Sequence, residues 1–98
     1  MASEMIYSTG ERVPVVPENG KFWTLRELQA KVGGYIEYAH TKDGRWMVAN
    51  EDGKRLKLPE NPVATQLYIY SELSKIVGNV IVVDNMYELD GPRHKEDE

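Results

Sequence analysis

The sequence contains no cysteine, which excludes disulfides, thiolate catalysis and zinc sites built on cysteine ligands. It has no uninterrupted run near the ~18 apolar residues that a membrane-spanning helix requires. The N-terminus also lacks the basic stretch and apolar core of a signal peptide. We therefore expect a cytoplasmic protein that makes no membrane contact.

Basic residues are outnumbered, with 12 Lys and Arg against 16 Asp and Glu and a formal net charge of −4. Proteins that bind the nucleic-acid backbone usually carry a face rich in Lys and Arg. No dense basic run of this kind is present in the sequence. The composition therefore argues against nucleic acid as a partner.

The sequence also lacks the motifs that are typical of catalytic, phosphate-binding and metal-binding sites. Of the two histidines, His40 ends a predicted strand and His94 lies in the polar C-terminal stretch. No serine has the Gly-x-Ser-x-Gly context of a nucleophile elbow, and no glycine pattern matches a phosphate-binding loop. Asp84, Glu88 and Asp90 are spaced too loosely to indicate a metal site. We expect no catalytic residue, no metal and no cofactor.

The residues that are present predict a single small α+β domain over residues 1–89. Residues 5–16 predict a hairpin, because Gly10 suits a tight turn. Pro14 has no backbone N–H to donate, so its strand is expected at a sheet edge. Residues 90–98 are mostly charged, and we expect them to form a disordered tail.

Three short β-prone runs between the two predicted helices indicate a central meander. They cover residues 35–40, 45–50 and 54–58, and turn sequences that contain Asp-Gly separate them. The later run at residues 80–83 is entirely apolar, which is typical of a strand buried on both faces. The sheet is therefore expected to be mainly antiparallel, with an N-terminal hairpin, this meander and a C-terminal strand.

The first helix is indicated by its capping residues. Thr24 stands at the N-cap position, and Glu27 completes a capping box three residues later. Leu28 and Val32 recur at helical spacing and predict a buried face. Gly33-Gly34 then ends the helix, because glycine adopts the left-handed conformation common just after helices.

The second helix is expected to begin with Asn61 as N-cap and Pro62 at its first position. It is expected to end at Gly78-Asn79, and these apolar positions mark its inner face: Val63, Leu67, Tyr70, Leu73 and Val77. In both helices the last apolar residues, the glycine that ends the helix and the following strand have the same spacing. This similarity indicates either a pseudo-repeat or two independent helix ends that use the same local chemistry. In both cases the two helices are expected to pack on one face of the sheet.

Nine aromatic residues provide the main candidates for binding a partner. Tyrosine and tryptophan combine an apolar body with a polar tip, so they serve both in cores and at recognition surfaces. Packing within the core or across strands is one interpretation of these residues, and an exposed recognition patch is the other. The candidate partner-binding residues are Tyr35, Tyr38, Trp46 and Tyr68.

Polar residues near the start of the second helix suggest a different site. Asn50, Glu51 and Asn61 bracket a short predicted strand and would converge at the helix N-terminus. The free N–H groups of a helix N-terminus can bind an anion. The alternative is that both asparagines serve as turn and capping residues.

Several motifs together resemble a small uncharacterised family, that of domain of unknown function 3846. They are Thr24-Leu25-x-Glu27-Leu28-Gln29, Val32-Gly33-Gly34-Tyr35-Ile36-Glu37, Asp43-Gly44-Arg45, Asn50-Glu51-x-Gly53-Lys54, Leu58-Pro59-x-Asn61, Ala64-Thr65 and Val77-Gly78-x-Val80. The resemblance covers residues 5–84. The chain departs from it at Asn79, where similar proteins often have Asp, and at Lys57-Leu58, where they often have Gly-Leu.

The resemblance implies a genomic setting rather than an activity, because the family has no established function. Its members are frequent in phages, prophages and conjugative elements. We therefore expect a non-enzymatic accessory protein in the host cytoplasm that binds and modulates or inhibits a host protein, as a monomer or a small homo-oligomer. The alternative is an oligomeric protein that binds or sequesters a small, nucleotide-like ligand.

Overall fold

The computed structural model describes residues 3–84, so the predicted tail at residues 90–98 lies outside the described part. In chain order the elements are β1 (Ser3–Ile6), β2 (Arg12–Val15), α1 (Leu25–Val32), β3 (Ile36–His40), β4 (Trp46–Asn50), α2 (Pro62–Leu67) and β5 (Val80–Val83). The five strands form one sheet in the order β2-β1-β5-β4-β3, and every neighbouring pair is antiparallel. The predicted α+β class and antiparallel sheet are confirmed.

The N-terminal hairpin and the first helix follow the prediction closely. Gly10 turns the β1–β2 hairpin with a φ of 100°, and Pro14 lies in the edge strand β2. The Thr24 side chain accepts a hydrogen bond from the Glu27 N–H at the start of α1. Gly33, with a φ of 86°, is the left-handed residue that ends this helix. Gly34 does not have a positive φ.

The prediction that both helices pack on one face is wrong, because they cover opposite faces of the sheet. Under α1 the buried residues are Met5, Trp23, Leu28, Val32, Val48, Ile81 and Val83. Around α2 they are Ile6, Met47, Ala49, Ala64, Ile76, Val80 and Val82. Successive strand residues point to opposite faces, so the apolar run of β5 requires cover on both sides. One helix supplies the cover on each face.

The predicted third strand of the meander, residues 54–58, is also wrong. The chain forms successive turns there, with Leu56 N–H donating to Asp52 and Leu58 N–H donating to Gly53. Leu56 is 50% exposed, so its alternation with basic residues does not reflect burial. The position beside β4 is occupied by β5, whose four residues are all buried. Residues 80–83 are more apolar than residues 54–58, so burial at the centre of the sheet stabilises them more.

The second helix begins as predicted, with Asn61 as N-cap and Pro62 following, but it ends at Leu67 instead of reaching Val77. The Asn61 N–H donates to the Ile76 carbonyl at 2.8 Å, so the chain returns to the start of the helix before it enters β5. A continuous helix would place residue 76 about 22 Å along the axis from residue 61. The need to reach the sheet therefore shortens α2 to six residues.

No helix within residues 3–84 combines the length and the apolar character needed to span a membrane.

Candidate functional site

A cleft of about 350 Å³ lies on the α2 face of the sheet. Strands β3 and β4 contribute Ala39 and Ala49, whose small side chains leave space above the sheet. The turns after β4 and residues 74–77 bound the cleft on its other side. Gly53 allows these two segments to approach closely, since a Cβ atom there would lie 2.7 Å from the Cγ2 of Val77.

Charged residues of both signs line this cleft. Glu37 in β3 and Glu51 directly after β4 come from the sheet. Lys54 and Lys75 come from the bounding segments, and the Lys54 ammonium donates a hydrogen bond to the Ser74 hydroxyl. Both carboxylates therefore share one small space with two ammonium groups.

The carboxyl group of Glu37 is electrostatically strained in this position. Its pKa is raised above the ordinary value, first by burial and then by the negative charge of Glu51. Lys54 acts in the opposite direction but does not cancel these effects. The folded protein therefore holds the charged form of Glu37 at a cost.

Asn50 lines the cleft, but its side-chain amide is already used within the protein. The amide Nδ2 donates to the carbonyl of Val32 at 3.1 Å, and Oδ1 accepts from the Asp52 N–H at 2.8 Å. Asn50 thereby ties the end of α1 to the turn after β4. Of the predicted ligand-binding residues, Glu51 is the one whose side chain is exposed beside the cleft.

Asn61 does not reach the cleft and is fully buried. Its Nδ2 donates to the carbonyls of Ile6 and Gly78 at 3.0 and 2.8 Å, and its Oδ1 accepts from the Ala64 N–H at 3.0 Å. These three bonds join β1, the start of α2 and the residue pair before β5. The structure thus gives Asn61 the capping role that the sequence offered as an alternative.

The four candidate partner-binding aromatics do not form one surface. The ring of Tyr38 packs edge-to-face with Trp46 at a centroid distance of 6.3 Å, on the α1 face. Tyr68 lies on the α2 face, where it lines the cleft and packs edge-to-face with Tyr70 at 5.8 Å. Tyr35, which precedes β3, is 68% exposed. Tyr38 also lines the cleft, but of these four residues Tyr68 is the one whose ring contacts an exposed aromatic residue, Tyr70.

Beside Tyr68, three large side chains project into solvent and form what we term the apolar segment: Ile69, Tyr70 and Leu73. Their exposed fractions are 46%, 55% and 83% respectively. The sequence pattern does not reveal this surface, because it predicts Tyr70 and Leu73 on the inner face of a longer helix. Ile69 is the sequence feature that could have indicated an exposed apolar surface, because it is apolar but lies outside that predicted inner face.

Residues 3–84 contain no group of three or more His, Asp or Glu side chains placed to hold a metal ion. His40, the described histidine, packs against Trp46 with the two rings tilted at 45° and a centroid distance of 4.3 Å. The ring contact gives His40 a packing role at the end of β3.

A family model described as "Domain of unknown function (DUF3846)" matches residues 5–91. No curated protein and no solved structure shows significant similarity to the chain.

Proposed function

We propose that this chain, which belongs to the DUF3846 family, is a non-catalytic protein that binds another protein through its apolar segment. The observation that carries this proposal is the exposure of Ile69, Tyr70 and Leu73 within five consecutive positions. Single exposed apolar residues are common, but a contiguous group marks an interaction surface. Aromatic residues at the centre of such groups often contribute most of the binding energy.

The partner in this proposal is a host protein, and the chain acts as a phage or mobile-element accessory protein. The resemblance to one family that is frequent in such elements supports this setting. A chain of 98 residues can modulate or inhibit a larger protein stoichiometrically by covering part of its surface. The apolar segment is the part of the described chain best suited to that contact.

The energetics favour Leu73 and Tyr70 as the central contacts. Leu73 is 83% exposed, so nearly all of its apolar surface is available for burial by a partner. Complete burial of a leucine side chain contributes about 1.5–3 kcal/mol. Replacing both residues by serine should therefore weaken binding by about a hundredfold.

The proposal can be tested by affinity capture from a host lysate with three versions of the chain. We expect the wild type and Val16→Ser to enrich the same protein, and Tyr70→Ser/Leu73→Ser to lose it. Val16 is a matched control because it is 78% exposed and follows the edge strand β2, away from the apolar segment. Equal capture by the double variant would refute the proposal.

A second copy of the chain is the competing occupant of the apolar segment. Size-exclusion chromatography with light scattering distinguishes the two possibilities. We expect the purified chain to be a monomer when the partner is absent. A dimer that dissociates on Tyr70→Ser/Leu73→Ser would show that the segment is a homodimer interface, which contradicts the proposal.

A further inference from the structure

The cleft differs from the apolar segment in shape and chemistry. Its volume of about 350 Å³ lies near the lower end of the roughly 300–1,000 Å³ range of small-molecule sites. Ala39 and Ala49 give it a small apolar floor, and Tyr68 and Ile76 add apolar surface. The cleft therefore suits a ligand of modest size with an apolar part.

The charges that line the cleft restrict the ligand further. Two acidic and two basic side chains give it no net formal charge: Glu37, Glu51, Lys54 and Lys75. The phosphates of a nucleotide would meet both carboxylates without a net positive field to attract them. A nucleotide, the ligand class that the sequence suggested as an alternative, is therefore a poor electrostatic match.

The carboxylates of Glu37 and Glu51 are the part of the cleft that suits a positively charged ligand group. Within residues 3–84, neither Glu37 nor Glu51 has a Lys, Arg or His partner at ion-pair distance. The raised pKa of Glu37 reflects its burial and the repulsion by Glu51. An ammonium group beside both carboxylates would relieve that repulsion.

Lys54 and Ser74 are the part of the cleft that suits a negatively charged ligand group. The Lys54 ammonium donates to the Ser74 hydroxyl, which is neutral, so the charge of Lys54 stays available to an anion. Lys75 differs because it already faces the Glu60 carboxylate at 3.6 Å. A ligand carboxylate beside Lys54 and Ser74 would accept hydrogen bonds from both groups.

We infer that the cleft binds a small zwitterion, a free amino-acid-like molecule with one ammonium and one carboxylate group. The ammonium group lies beside Glu37 and Glu51, and the carboxylate lies beside Lys54 and Ser74. The short chain between them covers the apolar floor at Ala49. This site and the apolar segment consist of different residues. The zwitterion site and the proposed protein interface are therefore tested independently of each other.

The test is an NMR titration of the isotope-labelled chain with γ-aminobutyrate, butylamine and butyrate. Glycine and β-alanine serve as shorter zwitterions. We expect at least one zwitterion to shift the amide signals of Ala39, Ala49 and Ser74, and to bind about tenfold more tightly than either singly charged analogue. Equal binding of an analogue, or no shift with any zwitterion at millimolar concentrations, would overturn the inference.

Variants locate the charges that bind. We expect Glu37→Gln/Glu51→Gln and Lys54→Gln each to weaken zwitterion binding by about tenfold. Glu11→Gln, in the exposed β1–β2 turn, should leave it unchanged. Because Glu51 and Lys54 are exposed and Glu37 is only partly buried, each variant should retain a folded spectrum. Unchanged affinity in the folded Glu37→Gln/Glu51→Gln variant would contradict the assigned site.

Discussion

At the scale of single residues, Asn61 joins three parts of the chain through one buried amide. Replacement by alanine would remove both donors and the acceptor, leaving the carbonyls of Ile6 and Gly78 and the Ala64 N–H unsatisfied. We expect Asn61→Ala to lower the free energy of unfolding by about 3 kcal/mol or more. Chemical denaturation measures this loss.

Asn61→Asp separates the two roles of the amide. Aspartate keeps the capping acceptor for Ala64 but loses both donors and places a charge against two carbonyl groups. We expect it to destabilise the fold at least as much as alanine does. Asn79→Ala, which loses one half-buried bond from Ser8, should cost only about 1 kcal/mol. Near-wild-type stability of Asn61→Asp would show that capping alone explains Asn61.

Glu37 gives a residue-scale prediction with a defined pH dependence. Its folded pKa lies above the ordinary value of 4.5, so the folded state binds the proton more tightly than the unfolded state. The contribution of protonated Glu37 to the stability of the fold is complete below pH 4.5 and is lost as the pH rises through the folded pKa. We expect Glu37→Gln to be more stable than wild type at pH 7, measured by denaturation. An advantage that persists below the ordinary pKa would contradict this explanation.

At the scale of elements, an ionic network ties the N-terminal hairpin to the β3–β4 turn. Glu4 pairs with Arg12 at 2.8 Å and with Arg45 at 3.1 Å, and Arg45 also pairs with Asp43 at 2.9 Å. Hydrogen bonding to Arg12 is the first cause that lowers the pKa of Glu4. Hydrogen bonds from Arg45 and Thr41 lower the pKa of Asp43 to about 2.

This network should make the protein sensitive to acid. Both folded pKa values are depressed, so the stabilisation is present above the ordinary values of 4.5 and 3.8. It is lost as the pH falls through the folded values, to about 2 for Asp43. We expect Glu4→Gln/Asp43→Asn to flatten the fall in melting temperature over this range, whereas Glu11→Gln keeps the wild-type slope. A wild-type slope in the double variant would exclude the network as the cause.

The elements that the sequence predicted correctly depend on local chemistry. Thr24 and Asn61 accept hydrogen bonds from backbone groups three residues away, and Gly10 and Gly33 have the positive φ that turns require. The errors arise where distant contacts decide the structure. The end of α2 depends on the pairing of Asn61 with Ile76, which no local pattern contains. The missing third strand reflects competition with β5 for the place beside β4.

At the scale of the whole molecule, the two helices and the sheet form three layers, and unequal cover creates the candidate sites. Helix α1 has eight residues and α2 only six, so α2 leaves the region around Ala39 and Ala49 partly open. The cleft lies there, and the apolar segment begins next to Tyr68, which lines the cleft. The sequence could predict Tyr68 and Glu51 as candidates by residue type, but their positions depend on where α2 ends.

Hydrogen exchange of the captured complex tests the central claim, that the apolar segment binds a partner protein, most directly. The measurement compares amide exchange in the free chain and in the complex over residues 3–84. We expect partner binding to slow exchange around Ile69, Tyr70 and Leu73 and to leave the edge strand β2 unchanged. Slower exchange in β2 or on the α1 face, with residues 69–73 unaffected, would contradict the claim.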